Sequence, residues 1–137
     1  MTAQPADGAV RVMVVDDQEP FRSATRELVG HLDGFELVAE AASGEEAVEV
    51  AQDVNPDLVV MDINMGEMDG IEATARITGA APSTLVVLVS TYELADLPST
   101  ARRSGAAAYL NKDELGGRAL RRIWADRGDP TFRTGTS

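Results

Sequence analysis

The stretch LVVMDINMGEMDG, from Leu58 to Gly70, decides the fold of this chain. It opens with apolar residues that do not alternate with polar ones, which is typical of a strand covered on both faces of its sheet. It then places Asp62 where the strand ends, ahead of a loop that contains Gly66 and Gly70. Because a buried unpaired carboxylate costs several kcal/mol, we expect Asp62 to have a partner or a chemical role.

Outward from this stretch, short apolar runs alternate with segments of helical periodicity. The five predicted strands are Val10–Val15, Phe35–Ala41, Leu58–Met61, Thr84–Val89 and Ala107–Leu110. The five predicted helices begin at Pro20, Ser43, Gly70, Pro98 and Glu114. Such alternation predicts an α/β fold with a doubly wound parallel sheet, in which right-handed crossovers place helices on both faces.

Length and composition narrow the class of protein. The 137 residues fit one domain, predicted to span residues 10–127, and the polar segments 1–9 and 128–137 are expected to be flexible tails. The formal charge of −11 argues against direct nucleic-acid binding, and the absence of cysteine excludes disulfides and thiolate zinc sites. No apolar run approaches the ~20 residues of a membrane span, and no signal peptide is evident, so we expect a cytoplasmic protein.

Polar side chains stand at the ends of four predicted strands. Asp16 and Asp17 follow the first strand, Asp62 the third, Ser90 the fourth and Lys112 the fifth. Carboxyl ends of parallel strands meet at one edge of the sheet, so three acids would crowd together if the first and third strands are neighbours. A loose cluster of carboxylate oxygens suits Mg²⁺, which keeps several waters.

A magnesium ion at this edge would attract and orient a phosphoryl group. Ser90 is predicted to hydrogen-bond a phosphoryl oxygen, and Lys112 to supply positive charge opposite the metal. Asp62 is the candidate nucleophile, because it follows the central apolar strand and precedes a glycine-bearing loop. The simpler alternatives are that Asp16 and Asp17 cap the first helix, that Asp62 bonds its own turn, and that Ser90 and Lys112 are ordinary surface residues.

These residues resemble the receiver domain of bacterial two-component response regulators over about Val10 to Ile123. The resemblance rests on VVDD after the first strand, MDINMGEMDGIEA after the third, LVST after the fourth and AYLNKDEL after the fifth. It implies a flavodoxin-like (βα)5 fold with strand order 2-1-3-4-5. NKDEL resembles the branch that usually carries a helix-turn-helix output domain, so we expect either a stand-alone receiver or one lacking its DNA-binding domain.

The resemblance also implies the signalling chemistry. A sensor histidine kinase would donate a phosphoryl group to Asp62. Asp17 would ligate Mg²⁺ directly, Asp16 through water, and Asn64 through its backbone carbonyl. The domain would assist its own phosphorylation and dephosphorylation and would not act as an enzyme on an external substrate.

Four further positions complete the implied switch. Ser90 and Lys112 would contact the phosphoryl oxygens, and Tyr109 would turn inward as Ser90 moves on activation. Tyr92 and Asn64 match the positions thought to tune hydrolysis of the phosphoaspartate. The downstream partner would be a protein of unknown identity, and a homodimer is possible.

The sequence departs from the family at two positions and leaves two other hypotheses open. Gly66 and Asp113 stand where the family commonly has proline. A receiver-like interaction module that works without phosphorylation is one alternative, favoured by Gly66. A magnesium phosphohydrolase is the other, but it would normally need an acid two residues after Asp62, where Asn64 stands.

Overall fold

The computed structural model describes residues 8–91, 96–129 and 131–134. The strands are β1 (Val10–Val15), β2 (Phe35–Ala41), β3 (Leu58–Asp62), β4 (Leu85–Ser90), β5 (Ala108–Asn111) and β6 (Arg133–Thr134). The helices are α1 (Glu19–Gly30), α2 (Gly44–Val54), α3 (Gly70–Ala80), α4 (Ser99–Arg103) and α5 (Gly117–Ala125). None of the described helices is both long and apolar enough to cross a membrane.

All the strands form one parallel sheet in the order β2-β1-β3-β4-β5-β6. The predicted doubly wound fold and the order of the first five strands are confirmed. The predicted number of strands is wrong, because Arg133 and Thr134 pair with Ala108 and Tyr109 in a sixth strand. This strand lies in the segment 128–137, which the sequence predicts to be a flexible tail. Two residues are too few to show the alternation of apolar and polar side chains by which a strand is recognised in a sequence.

The core lies on both faces of the sheet, which explains why the stretch from Leu58 to Gly70 begins with an unbroken run of apolar residues. Every residue of β3 is buried. Val59 and Met61 pack on one side with residues of α2 and α3, and Leu58 and Val60 pack on the other side against α1 and α5. Because successive strand residues point to opposite faces, a strand covered on both sides has no polar alternation.

The last helix begins three residues later than the sequence predicted. Asn111 accepts a hydrogen bond from the amide of Asp113 at 3.0 Å, and Glu114 accepts one from the amide of Asn111 at 2.8 Å. These reciprocal bonds close a 3₁₀ turn over Lys112–Glu114. Gly116 then has extended backbone, with φ of −168°, so α5 starts at Gly117. Local side-chain bonds therefore outweigh the helical periodicity at this junction.

Candidate functional site

The carboxyl ends of β1, β3, β4 and β5 form one rim, and the strand-end side chains meet there. Val15 lies opposite Met61 in the register of β1 and β3, which makes the residues after them neighbours. Carboxylate oxygens of Asp16, Asp17 and Asp62 all lie within 4.8 Å of one another. The sheet order thus brings together acids that are more than forty residues apart in the chain.

Asp16 is fully buried and is held from two sides. One of its carboxylate oxygens accepts a hydrogen bond from the amide of Gln18 at 2.7 Å, and the other lies 2.8 Å from the ammonium of Lys112. The N-cap of α1 is Gln18, with no side-chain capping bond, so neither Asp16 nor Asp17 caps that helix. Asp17 is exposed beside Asp16 and leaves one side of the cluster open to water.

Asp62 is almost completely buried, and its contacts are long. The ammonium of Lys112 lies 3.6 Å from Oδ1, and the amide of Asn64 donates to the same oxygen at 3.4 Å. Both distances exceed those of a strong hydrogen bond, so the turn around Asp62 does not satisfy this carboxylate by itself. Burial, reinforced by the negative charge of Asp16, raises the pKa of Asp62 to about 6, although Lys112 and the Asn64 amide act in the opposite direction. A carboxyl perturbed in this way is typical of a functional site.

Lys112 is the cation shared by the two buried carboxylates. The 3₁₀ turn over Lys112–Glu114 positions this side chain. The peptide bond between Lys112 and Asp113 is trans, like every other peptide bond among the described residues. The ammonium also lies 4.5 Å from the ring centre of Phe21 on α1. Sequence reasoning missed Phe21, because an apolar residue on a helix is indistinguishable from an ordinary core residue until the lysine is placed beside it.

The end of β4 is connected to the loop after β3 and to β5. The side-chain amide of Asn64 lies 3.4 Å from the hydroxyl of Ser90, and the hydroxyl of Tyr109 lies 3.5 Å from the backbone carbonyl of Ser90. Tyr109 is buried in this structure, so its ring already occupies the inward orientation. Its predicted movement stays a prediction, and Tyr92 lies outside the described residues.

Gly70 lets the loop after Asp62 return close to the strand. A Cβ at this position would lie 2.0 Å from the carbonyl oxygen of Asp62. The amide of Gly70 donates to the carbonyl of Ile63 at 2.9 Å, and Asp69 caps α3 by accepting from the amide of Glu72 at 2.9 Å. Gly66 has a φ of +40°, in the region that favours glycine. The glycines of this loop therefore have distinct geometric roles.

The donor set fits a hard divalent cation. The cluster contains three carboxylates, and the ammonium of Lys112 lies beside two of them, those of Asp16 and Asp62. These two are buried, whereas Asp17 is exposed and leaves its side of the cluster open. Oxygen ligands with room for water are what Mg²⁺ requires. A cation in this place would relieve the mutual repulsion of the acids.

The model of the response regulator receiver domain matches residues 12–123. The chain belongs to the response regulator receiver domain family. Its curated relatives include the response regulator GacA of Pseudomonas viridiflava, 36% identical over 103 residues, which are 75% of this chain and 48% of the relative. PdtaR of Mycobacterium tuberculosis is 41% identical over 109 residues, 78% of this chain and 52% of the relative. This receiver domain therefore spans about half the length of the curated relatives it matches.

Solved receiver domains share the fold over most of their length. The response regulator domain of Thermotoga maritima CheB is 31% identical with a TM-score of 0.77, covering 85% of this chain and 95% of that one. The receiver domain of the putative response regulator NarL from Mycobacterium tuberculosis is 29% identical with a TM-score of 0.79, covering 87% and 98%. CheY in the CheX–CheY–BeF3–Mg²⁺ complex from Borrelia burgdorferi is 25% identical with a TM-score of 0.75, covering 89% and 97%. This chain is thus a receiver domain of two-component signalling.

Proposed function

We propose that this receiver domain accepts a phosphoryl group on Asp62 from a sensor histidine kinase in a Mg²⁺-dependent reaction. The observation that carries the proposal is a buried carboxyl with a pKa raised to about 6, next to the ammonium of Lys112 and within reach of two further carboxylates. Asp16, Asp17, Asp62 and the backbone carbonyl of Asn64 would hold the ion.

The reaction is a transfer of the phosphoryl group from nitrogen to oxygen. A carboxylate oxygen of Asp62 attacks phosphorus, the bond from phosphorus to the kinase histidine breaks, and the histidine nitrogen keeps that electron pair. The bound Mg²⁺ would supply charge neutralisation on the phosphoryl oxygens. Lys112 adds its positive charge, and Ser90 donates a hydrogen bond to a phosphoryl oxygen. At pH 7 a carboxyl with a pKa of about 6 is mostly ionised, as a nucleophile must be.

The added phosphoryl group would act as the switch. It brings roughly −1.5 to −2 of charge and new acceptor oxygens to the rim. Ser90 would follow these oxygens, and Tyr109 next to it would report the change to the surface around β5 and a downstream protein. Support comes from Borrelia CheY, which was solved with beryllium fluoride, magnesium and the protein CheX. We place the reaction in the cytoplasm, and the domain assists its own modification without turning over another substrate.

The decisive experiment is labelling of the purified chain with acetyl phosphate, followed by intact mass measurement. The wild type should gain one phosphoryl group with Mg²⁺ and little when a chelator is present. Asp62→Asn should abolish the gain. Asp69→Asn, which changes an exposed acid of the same loop and keeps a capping oxygen, should label like the wild type. A wild type that stays unlabelled with Mg²⁺, or an Asp62→Asn variant that labels, would refute the proposal.

The same experiment separates the interaction module from the phosphoacceptor. A module that works without phosphorylation would gain no phosphoryl group from acetyl phosphate in the presence of Mg²⁺. The magnesium phosphohydrolase would release phosphate from external substrates with turnover, which the absence of an acid at Asn64 disfavours.

A further inference from the structure

Phe21 belongs to the apolar stripe of α1 and also contacts the rim. The stripe continues at helical spacing through Leu28 and Leu32, and all three side chains are partly buried against the core on the α1 and α5 side of the sheet. The ammonium of Lys112 lies over the face of the Phe21 ring, 4.5 Å from its centre. Core packing explains the apolar character of this position, whereas the ammonium over the ring points to a second role.

Lys112 needs contacts that hold its ammonium in place. It is the only lysine in the chain, and its side chain is long, flexible and without the planar geometry that orients an arginine. The ammonium donates to Asp16 at 2.8 Å, but it lies 3.6 Å from Asp62, which is too far for a hydrogen bond. Its position beside Asp62 therefore depends on further contacts.

The Phe21 ring provides such a contact. The negative face of an aromatic ring attracts a cation within about 6 Å of the ring centre, and the attraction strengthens as water is excluded. Here the distance is 4.5 Å, and the lysine side chain is only 20% exposed. Unlike a hydrogen bond, this attraction does not require one particular N–H direction. The ammonium can therefore turn its donors toward new acceptors without leaving the ring.

The first turn of α1 is fixed to the rim, which fixes the ring as well. The guanidinium of Arg22 donates to the backbone carbonyl of Asp16 at 2.7 Å and pairs with the carboxylate of Glu40 at 3.4 Å. Pro20 lies in the same turn and restricts its backbone. Phe21 stands between these two residues, so its ring has a defined position relative to Asp16.

A bound divalent cation would increase the importance of the ring. An ion held by Asp16, Asp17 and Asp62 would repel the ammonium of Lys112 and compete with it for Asp16. The Phe21 ring has no net charge and offers no oxygen ligand, so its attraction for the ammonium would persist. The contact between ring and ammonium thus matters most in the state in which the phosphoryl group is transferred.

We propose that Phe21 is a positioning residue for phosphoryl acceptance, whose ring holds the Lys112 ammonium where it meets the incoming phosphoryl group. This inference rests on the proposed function of Asp62. Phe21 acts through Lys112 and takes no part in the bond changes. Without the ring, the ammonium would be in place for a smaller fraction of the time, which slows the transfer.

The first measurement detects the contact itself, without metal and without phosphorylation. Because Lys112 is the only lysine, isotope labelling of lysine gives one ε-methylene signal in an NMR spectrum of the full chain. The ring current shifts protons over the face of an aromatic ring to lower frequency. This shift should be present in the wild type and in Phe21→Tyr, and lost in Phe21→Leu. A signal at the same frequency in the wild type and Phe21→Leu would refute the contact.

The second measurement is the initial rate of labelling by acetyl phosphate with Mg²⁺. Phe21→Leu should lower this rate by about three- to tenfold, which corresponds to the loss of a cation–π contact at a partly buried site. Phe21→Tyr keeps an aromatic ring and should restore most of the rate.

Phe35→Leu is the matched control for the labelling rate. It makes the same substitution in a phenylalanine that packs against the same core. Phe35 lies opposite Val10 at the start of β1, at the other end of the sheet from the rim. The control should label within about twofold of the wild type. Equal slowing by Phe21→Leu and Phe35→Leu would indicate a general loss of core packing and would overturn the proposal.

A double-mutant cycle separates positioning from packing. In Lys112→Ala the ring has no ammonium to hold, so adding Phe21→Leu should not slow labelling further. In urea unfolding without metal, Phe21→Leu should lower the midpoint more in the wild type than in the Lys112→Ala background, because only the wild type loses a cation–π contact. Equal effects of Phe21→Leu in the two backgrounds would contradict the role assigned to the ring.

Failure of the proposed function would give a different result. A wild type that stays unlabelled with Mg²⁺ would refute phosphoryl acceptance, whatever the Lys112 signal shows. A wild type that labels and a Phe21→Leu variant that labels equally fast would refute the positioning role of Phe21 alone.

Discussion

Replacing Asp62 by Asn is predicted to stabilise the metal-free protein at neutral and alkaline pH. The fold holds the ionised carboxylate of Asp62 in a buried place next to Asp16, so this charge opposes folding. Asn has nearly the same shape and does not ionise. The variant should therefore lose the electrostatic cost while keeping the packing of the site.

The magnitude follows from the pKa. In the folded protein the pKa of Asp62 rises from 3.8 to about 6, and each unit corresponds to 1.36 kcal/mol, so the ionised form costs about 3 kcal/mol. The folded state binds more protons than the unfolded state between these two values. The stability contributed by protonated Asp62 is thus complete below pH 3.8 and is lost as pH rises through about 6.

The measurement is urea unfolding of the wild type and Asp62→Asn at several pH values with a chelator present. The difference in free energy of unfolding should be close to zero near pH 3.5 and reach about 3 kcal/mol in favour of the variant at pH 8. Asp53→Asn, which changes an exposed acid on α2, should show no such trend. Adding Mg²⁺ should stabilise the wild type and reduce the difference, because the ion binds the folded carboxylates.

A difference that does not change with pH would refute this reasoning, since it would mean that burial and Asp16 do not oppose the charge of Asp62. An Asp62→Asn variant that is less stable than the wild type at pH 8 would refute it as well. In that case the contacts of Asp62 with Lys112 and the Asn64 amide would outweigh desolvation.

Two further changes test how the site is built. Gly70→Ala should lower the free energy of unfolding by about 2–3 kcal/mol, because the added Cβ would clash with the backbone carbonyl of Asp62. Gly79→Ala lies in the same helix but has open space around it, so it should raise the free energy of unfolding by up to about 1 kcal/mol. Equal effects of the two in urea unfolding would contradict the close approach. Lys112→Ala should lower the free energy of unfolding by about 3 kcal/mol at pH 7.5 without metal, because it removes the cation beside buried Asp16. It should also slow labelling by acetyl phosphate. Unchanged stability and an unchanged labelling rate would exclude this role for Lys112.

Much of the fold was predictable because its strands obey simple rules. A strand buried on both faces must be apolar throughout, which identified Leu58–Met61. The helix predicted to begin at Ser43 has that residue as its N-cap, and the Ser43 side chain accepts a hydrogen bond from the amide of Glu46. The sixth strand was not predictable, because its two residues are stabilised by pairing with β5 and by the ion pairs of Arg133. Such contacts between distant residues produce no alternation of apolar and polar residues that could be read from the sequence.

The sequence by itself determined the alternation of the first five strands with the helices, and it placed acids, a hydroxyl and a lysine at or just after the ends of particular strands. Only the tertiary structure decided that the Lys112 ammonium reaches the Asp16 carboxylate, 96 residues away, and that the pKa of Asp62 rises to about 6. It also added β6 to the sheet beside β5. The physical reason is that desolvation and charge–charge interactions depend on distances between strands, which sheet order and register set and which no local pattern contains.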